Sequence, residues 1–217
     1  MSFQELVVAA QKHFPDLKIK YKDQSWFMKF LGFLLFFNKG FMTNYTTTIG
    51  STVYFPSESF VKVRPVSASV VLLHELVHIK DGHKYSKPLF GFLYLTPQIL
   101  SLLCLPLFLV SWKIALPLVL LFAAPIPSPF RMYFEKRAYL TSLYAINALG
   151  TKLNFKPMLA SQEQTFVGQF KDGSYYFMWP FTNLQKDFDD AVSKVKAGQR
   201  PFEDPVFDIL DDLITKA

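Results

Sequence analysis

The stretch "VVLLHELVHIKDGH", residues 70–83, sets His74, Glu75 and His78 inside an apolar run. The spacing predicts a helix over 66–81. On it His74 and His78 lie one turn apart on the same face, so both imidazoles reach a single point. Glu75 stands about 100° round from His74 and about 60° from His78, flanking that point without occupying it. Val66, Leu72, Leu73, Leu76, Val77 and Ile79 cover the other faces, and a helix that is apolar on nearly every side is a buried one. An unpaired neutral polar group in a core costs about 2–7 kcal/mol. A divalent metal bound by both rings removes that cost.

The same residues form the H-E-x-x-H pattern of zinc peptidases. In that pattern two neutral imidazoles hold zinc, and the glutamate is the general base toward water. A catalytic zinc site takes three protein ligands and keeps one position open. His13 and His83 are the other histidines. His83 misses the extended metzincin spacing, which wants Gly and His at the positions of Asp81 and Lys84. Asp81 is a candidate supporting partner of a ligand. Glu135 is the better third ligand. It lies in a second expected helix, "RMYFEKRAYLTSLYAINALG", which Ser128-Pro129 starts and Gly150 stops. Ala138, one turn on, lets the two helices approach closely.

Composition bounds the rest. A chain of 217 residues holds one or two domains. With 51% apolar residues, 24 Phe and a mean hydropathy of +0.20, it is more apolar than an ordinary soluble enzyme. The single cysteine, Cys104, excludes an internal disulfide and a cysteine metal cluster. The net charge is +6, with 11 Lys+Arg against 6 Asp+Glu in residues 1–88 and 11 against 11 in residues 131–217. A basic half beside apolar segments points to an anionic membrane surface rather than to nucleic acid, for which no motif is present. The start, "MSFQELVVAAQKHF", carries Glu5 and breaks its apolar run too early for a secretory signal peptide.

Along the chain, residues 2–13 read as a short helix. "WFMKFLGFLLFF", residues 26–37, is too short to span a bilayer. With Lys20, Lys22, Lys29 and Lys39 around it, it reads as an interfacial segment or as a core helix. "FMTNYTTTIGSTVYFP", residues 41–56, reads as a β-hairpin turning at Gly50-Ser51. Between Lys87 and Lys113 lie 25 uncharged residues, and between Lys113 and Arg131 another 17. They predict a hydrophobic helical hairpin over 89–127 with "SWK" at its tip. Either it enters a membrane or it is two very apolar core helices. Lys80, Lys84, Lys87, Arg131, Lys136 and Arg137 at its base place that base on the cytoplasmic side. "GSYYFMWPF", residues 173–181, reads as strand, cleft wall or interface. "FDILDDLITKA" at the end reads as an acidic amphipathic helix, packed or solvated.

"HELVHIKDGH", the hairpin and "EKRA" at 135–138 occur in an order that resembles the gluzincin zinc peptidases. The likeness is closest to the membrane-embedded CAAX-prenyl-protease and bacterial heat-shock membrane protease type, over roughly residues 43–150. The resemblance implies an α+β fold: a single, mainly helical zincin-like domain over 1–217 with a small β-hairpin or sheet, interrupted by the hydrophobic hairpin. It implies Zn²⁺ on His74, His78 and Glu135, Glu75 as catalytic base, and a peptide or protein substrate at a membrane. The family aspartate that orients a zinc-bound histidine is here Tyr139, and loss of such a partner costs about 10- to 100-fold in affinity or activity. Tyr139, Tyr175, Tyr176 and Arg131 are the candidate oxyanion donors. A catalytically degenerate relative acting as a membrane-bound binding or regulatory module is the alternative. A membrane scaffold bearing a chance motif is a third reading.

Overall fold

The computed structural model describes residues 2–36, 38–124, 126–154, 157–171 and 182–216. The chain begins with α1 (Phe3–His13), β1 (Lys18–Tyr21) and α2 (Trp26–Leu34), followed by β2 (Thr47–Ile49) and β3 (Thr52–Phe55). Then come α3 (Glu58–Val63), α4 (Pro65–Tyr85), α5 (Lys87–Leu95) and α6 (Ile99–Leu103). A 3₁₀ turn at Leu105–Leu109 leads to α7 (Trp112–Ala123), α8 (Pro129–Lys152), α9 (Leu159–Lys171), α10 (Leu184–Lys196) and α11 (Val206–Lys216). The class is α+β, mainly helical with one small sheet.

Local chemistry sets the ends of these elements. Ser2 caps α1 in a reciprocal capping box with Glu5. Pro65 and Pro129 open α4 and α8, where a missing N–H costs nothing. The Ser128 hydroxyl accepts from the Arg131 N–H at the start of α8. The strand order is β1-β3-β2, with β1 parallel and β2 antiparallel to β3. Gly50, at φ +61°, supplies the left-handed residue of the β2–β3 turn. The expected hairpin is therefore present, and β1 adds a strand that the sequence reading did not anticipate.

The motif helix α4 runs four residues past its expected end and lies in the main core. Leu72, Leu73, Leu76, Val77 and Ile79 pack there with Leu6 and Ala10 of α1, Val53 and Phe55 of β3, and Ala138 and Ala145 of α8. The acidic tail packs rather than floats: Val206, Phe207, Leu210 and Leu213 of α11 are wholly buried in the same core. The far side of α8 joins a second core, with Leu140 and Leu143 against Phe170 of α9 and Phe188 and Val192 of α10. In α2 only Met28 is buried, while Trp26 is 77% exposed and Phe27, Phe30 and Phe33 are also exposed. This segment is not a core helix.

The uncharged stretch after Lys87 is not two long helices. α5 and the Ile99–Leu109 segment meet at a bend of 102°. Pro97, which has no N–H to donate, interrupts the helix there. The bend is tied to the start of α8. Gln98 Nε2 donates to the carbonyls of Ala124 (3.3 Å) and Ile126 (3.0 Å), and Ser128 Oγ donates to that of Thr96 (2.5 Å). α5 packs against α4 and α8. The part that projects is shorter than the expected 89–127 hairpin: α6, the 3₁₀ turn and α7, residues 99–123. No single helix among the described residues is long and apolar enough to cross a membrane.

An ionic cluster clamps α4 to α8 and to the segment before α11. Arg137 donates to both Asp81 oxygens at 2.6 and 2.7 Å and to Asp204, which also accepts from Lys80 at 2.6 Å. Asp81 is almost fully buried. Removing one partner strands a buried charge, so Asp81→Ala is expected to cost about 3 kcal/mol in urea unfolding.

Candidate metal centre

α4 and α8 pack closely because α8 turns small side chains toward its neighbour. Ala138 and Ala145 are wholly buried in that contact, and Ser142 lies between them. The result brings Glu135 to the two histidines. Its Oε2 is 3.4 Å from His74 Nε2 and its Oε1 is 3.4 Å from His78 Nε2. One ligand atom from each of the three residues lies within 4.8 Å of the others. The group can hold a metal ion.

The hydrogen bonding fits that use. His78 Nδ1, His78 Nε2 and Glu135 Oε2 are buried and make no hydrogen bond. Orphaned buried groups are rare in native proteins, and an ion would account for His78 Nε2 and Glu135 Oε2, though not for His78 Nδ1. His74 is oriented differently: its Nδ1 lies 3.1 Å from Ser142 Oγ, which itself donates to the Ala138 carbonyl at 3.0 Å. With the Ser142 proton so placed, His74 Nδ1–H is the donor to Ser142 Oγ, and the Nε2 lone pair points at the site. Two neutral nitrogens and a carboxylate are a donor set suited to zinc.

Burial pushes the His78 pKa down, but the Glu135 carboxylate, with Glu75 and Asp81 further off, outweighs it and raises the value to about 9. Burial likewise pushes Glu135 up, and the charge of His78 beside it holds it well below the usual carboxylate range. In the metal-free protein the site therefore keeps a proton on His78 at neutral pH, paired with ionised Glu135.

Glu75 stands beside the ligands rather than among them. It is largely buried, and Thr48 Oγ1 of β2 donates to its Oε2 at 2.8 Å. A cleft of about 460 Å³ opens on this face, with His74, Glu75, Tyr139 and Ser142 at its floor. Its walls are Asn44–Thr46 before β2, Val66, Val70 and Val71 of α4, and Met158 and Phe166 at α9. Beside it, Lys22 is fully buried, donating from Nζ to the Phe41 carbonyl at 2.6 Å. Burial lowers its pKa to about 8, against the pull of Glu75.

Of the expected supporting residues, Tyr139 is at the site, but its ring meets His74 edge-on at 4.8 Å. Asp81 is not there, being held by Arg137 as described. Arg131 faces α5 instead of the cleft: Nε donates to the Tyr94 carbonyl (3.1 Å) and NH2 to Gln98 Oε1 (3.0 Å). Tyr175 and Tyr176 lie outside the described residues. His13 pairs with Asp212 and His83 with Asp16, both away from the centre. The sequence reading missed Ser142, Thr48 and Tyr94. Ser142 was within reach, lying seven residues after Glu135 on the same face of an expected helix.

No protein-family model, curated protein or solved structure matches the chain. The resemblance to gluzincins therefore rests on the sequence motifs and their order alone.

A metal must displace the His78 proton to bind. Zinc affinity, measured against a competing chelator, should therefore rise by nearly tenfold per pH unit from pH 6 and level off above about pH 9, where that proton is already gone.

Proposed function

We propose that this chain is a membrane-associated zinc endopeptidase with a zincin-like site. The observation that carries the reading is the placement of Glu75: a carboxylate fixed by Thr48, on the floor of the cleft, next to three convergent ligand groups. A site that only stored a structural metal would have no use for it.

His74, His78 and Glu135 would hold the zinc. When bound, zinc supplies Lewis-acid polarisation of a peptide carbonyl and a lowered pKa for water at the site. The protein's own residues do the rest. Ser142 fixes the His74 tautomer. Glu75, oriented by Thr48, takes a proton from the attacking water and delivers it to the leaving amine. β2 has a strand neighbour on one side only among the described residues. Its other edge suits an extended substrate backbone, which then adds as a further strand. The largely apolar cleft walls suit apolar substrate side chains. Tyr139, on the cleft floor, is one candidate oxyanion donor.

The alternative of a catalytically degenerate module drew its support from the missing aspartate at Tyr139. Ser142 weakens that support, because it supplies His74 with an orienting partner from another position. Glu75→Gln is the decisive variant. It should lower hydrolysis of an unstructured protein substrate by at least about 100-fold while the zinc content stays at parent level. Equal activity in parent and variant would remove Glu75 from the chemistry.

The membrane part rests on the projecting hairpin. Leu102, Leu103, Leu109, Val110, Trp112, Leu120 and Leu121 are all more than half exposed, Leu109 at 91%. The chain has no Asp or Glu between Asp81 and Glu135. An arm of 12 residues is about 18 Å long, against about 30 Å of bilayer hydrocarbon. The hairpin therefore dips into one leaflet from the cytoplasmic side. A Lys113→Cys chain in a Cys104→Ser background should float with anionic vesicles and, with its hairpin tip inside the leaflet, be shielded from an impermeant thiol reagent added on either face. Labelling from the opposite face would mean a span, and failure to float would end the membrane reading.

A further inference from the structure

The uncharged run after Lys87 contains one phenol that turns inward. Tyr94 of α5 donates a short hydrogen bond to Glu135 Oε1. Its ring stands edge-on to His78 at 5.9 Å and lies beside Phe90, which also touches the His78 ring. Arg131 grips the same residue twice, by its carbonyl and by a guanidinium 5.4 Å from its ring centroid. Arg131 precedes Glu135 by one turn of α8 and also holds Gln98 at the bend. One helix thus carries both the ligand and the residue that fixes the ligand's partner.

We infer that Tyr94 is a positioning residue of the metal centre: its phenol holds Glu135 by Oε1, leaving Oε2 as the atom free for a metal. Oε2 is the carboxylate oxygen that is buried and without a hydrogen bond. A carboxylate with two free oxygens can rotate about its last bond and share a metal between them. One whose Oε1 is bonded to a fixed phenol presents a single oxygen in a set direction. Such partners of a ligand typically contribute 10- to 100-fold to metal affinity. The inference rests on the metal-binding part of the reading above and is independent of hydrolysis.

Tyr94→Phe tests it, because the ring contacts with Phe90, His78 and Arg131 survive and only the oxygen is lost. Zinc affinity, by chelator competition, should fall 10- to 100-fold, more than any loss of stability of the metal-free chain accounts for. The visible spectrum of the cobalt-loaded chain should shift as the carboxylate changes its mode of binding. Should the variant be less stable, a double-mutant cycle with Glu135→Gln isolates the contact. The loss from Tyr94→Phe should then shrink or vanish when Glu135 is already replaced. Unchanged affinity and spectrum, or losses that simply add, would overturn the inference. A parent chain that takes up no zinc or cobalt would overturn the metal reading and this inference with it.

Discussion

The contact between α4 and α8 governs the rest of the molecule. Along α8 the residues Glu135, Ala138, Ser142 and Ala145 recur at three- and four-residue steps, so they form one stripe. Because three of the four are small, the helix axes can approach until the fourth reaches the partner helix's histidines. A larger residue at Ala138 would move Glu135 away from His74 and His78 without touching either. The ionic cluster of Arg137, Asp81, Asp204 and Lys80 holds the same helix pair at the next turn. The apolar core and the ionic clamp therefore determine one geometry together, and the metal centre lies where they meet.

That geometry concentrates polarity in a dry place. Elsewhere in the contact between these helices Arg137 and Asp81 pair with each other. At the centre, the nitrogens of His78 and one oxygen of Glu135 are left unbonded within a few ångströms of each other. In a low-dielectric interior such groups attract whatever cation is at hand. A proton shared between His78 and Glu135 is the weakest answer, since it satisfies two of the three ligands. A divalent ion satisfies all three, and for that reason proton and metal compete for one site.

What the sequence disclosed follows from the range of the interactions. His74, Glu75 and His78 were legible because helical periodicity is local, and Ser128-Pro129 marked the start of α8 for the same reason. Glu135 was reachable through Ala138 beside it, together with the order of the motifs. Thr48 was not legible, because its role depends on a strand edge lying over α4, which no spacing encodes. The pairing of β1 with β3 was hidden likewise, being a parallel contact across more than thirty residues. The helix α10 was missed although Leu184, Phe188, Ala191, Val192 and Val195 trace a clear apolar stripe. Tyr94 and the bend at Pro97 were lost to a hydropathy reading that counted charges and overlooked breaks.

That break divides one uniformly apolar stretch between two surroundings. Before Pro97, Phe90 and Tyr94 turn toward His78 and Glu135; beyond it, α6 and α7 leave their leucines exposed. α5 has no fully buried residue, but Phe90 and Tyr94 are half-buried, with Phe90 against Phe134 of α8 and His78 of α4. Directional bonds hold both of its ends. At its start Lys87 donates to Asp16 at 2.6 Å, and Asp16 also accepts from Ser51 in the β2–β3 turn. At its end Arg131 and Gln98 grip the chain. One helix held by its ends thus stands beside the candidate metal centre, and Arg131, which grips its last turn, lies on the same helix as Glu135.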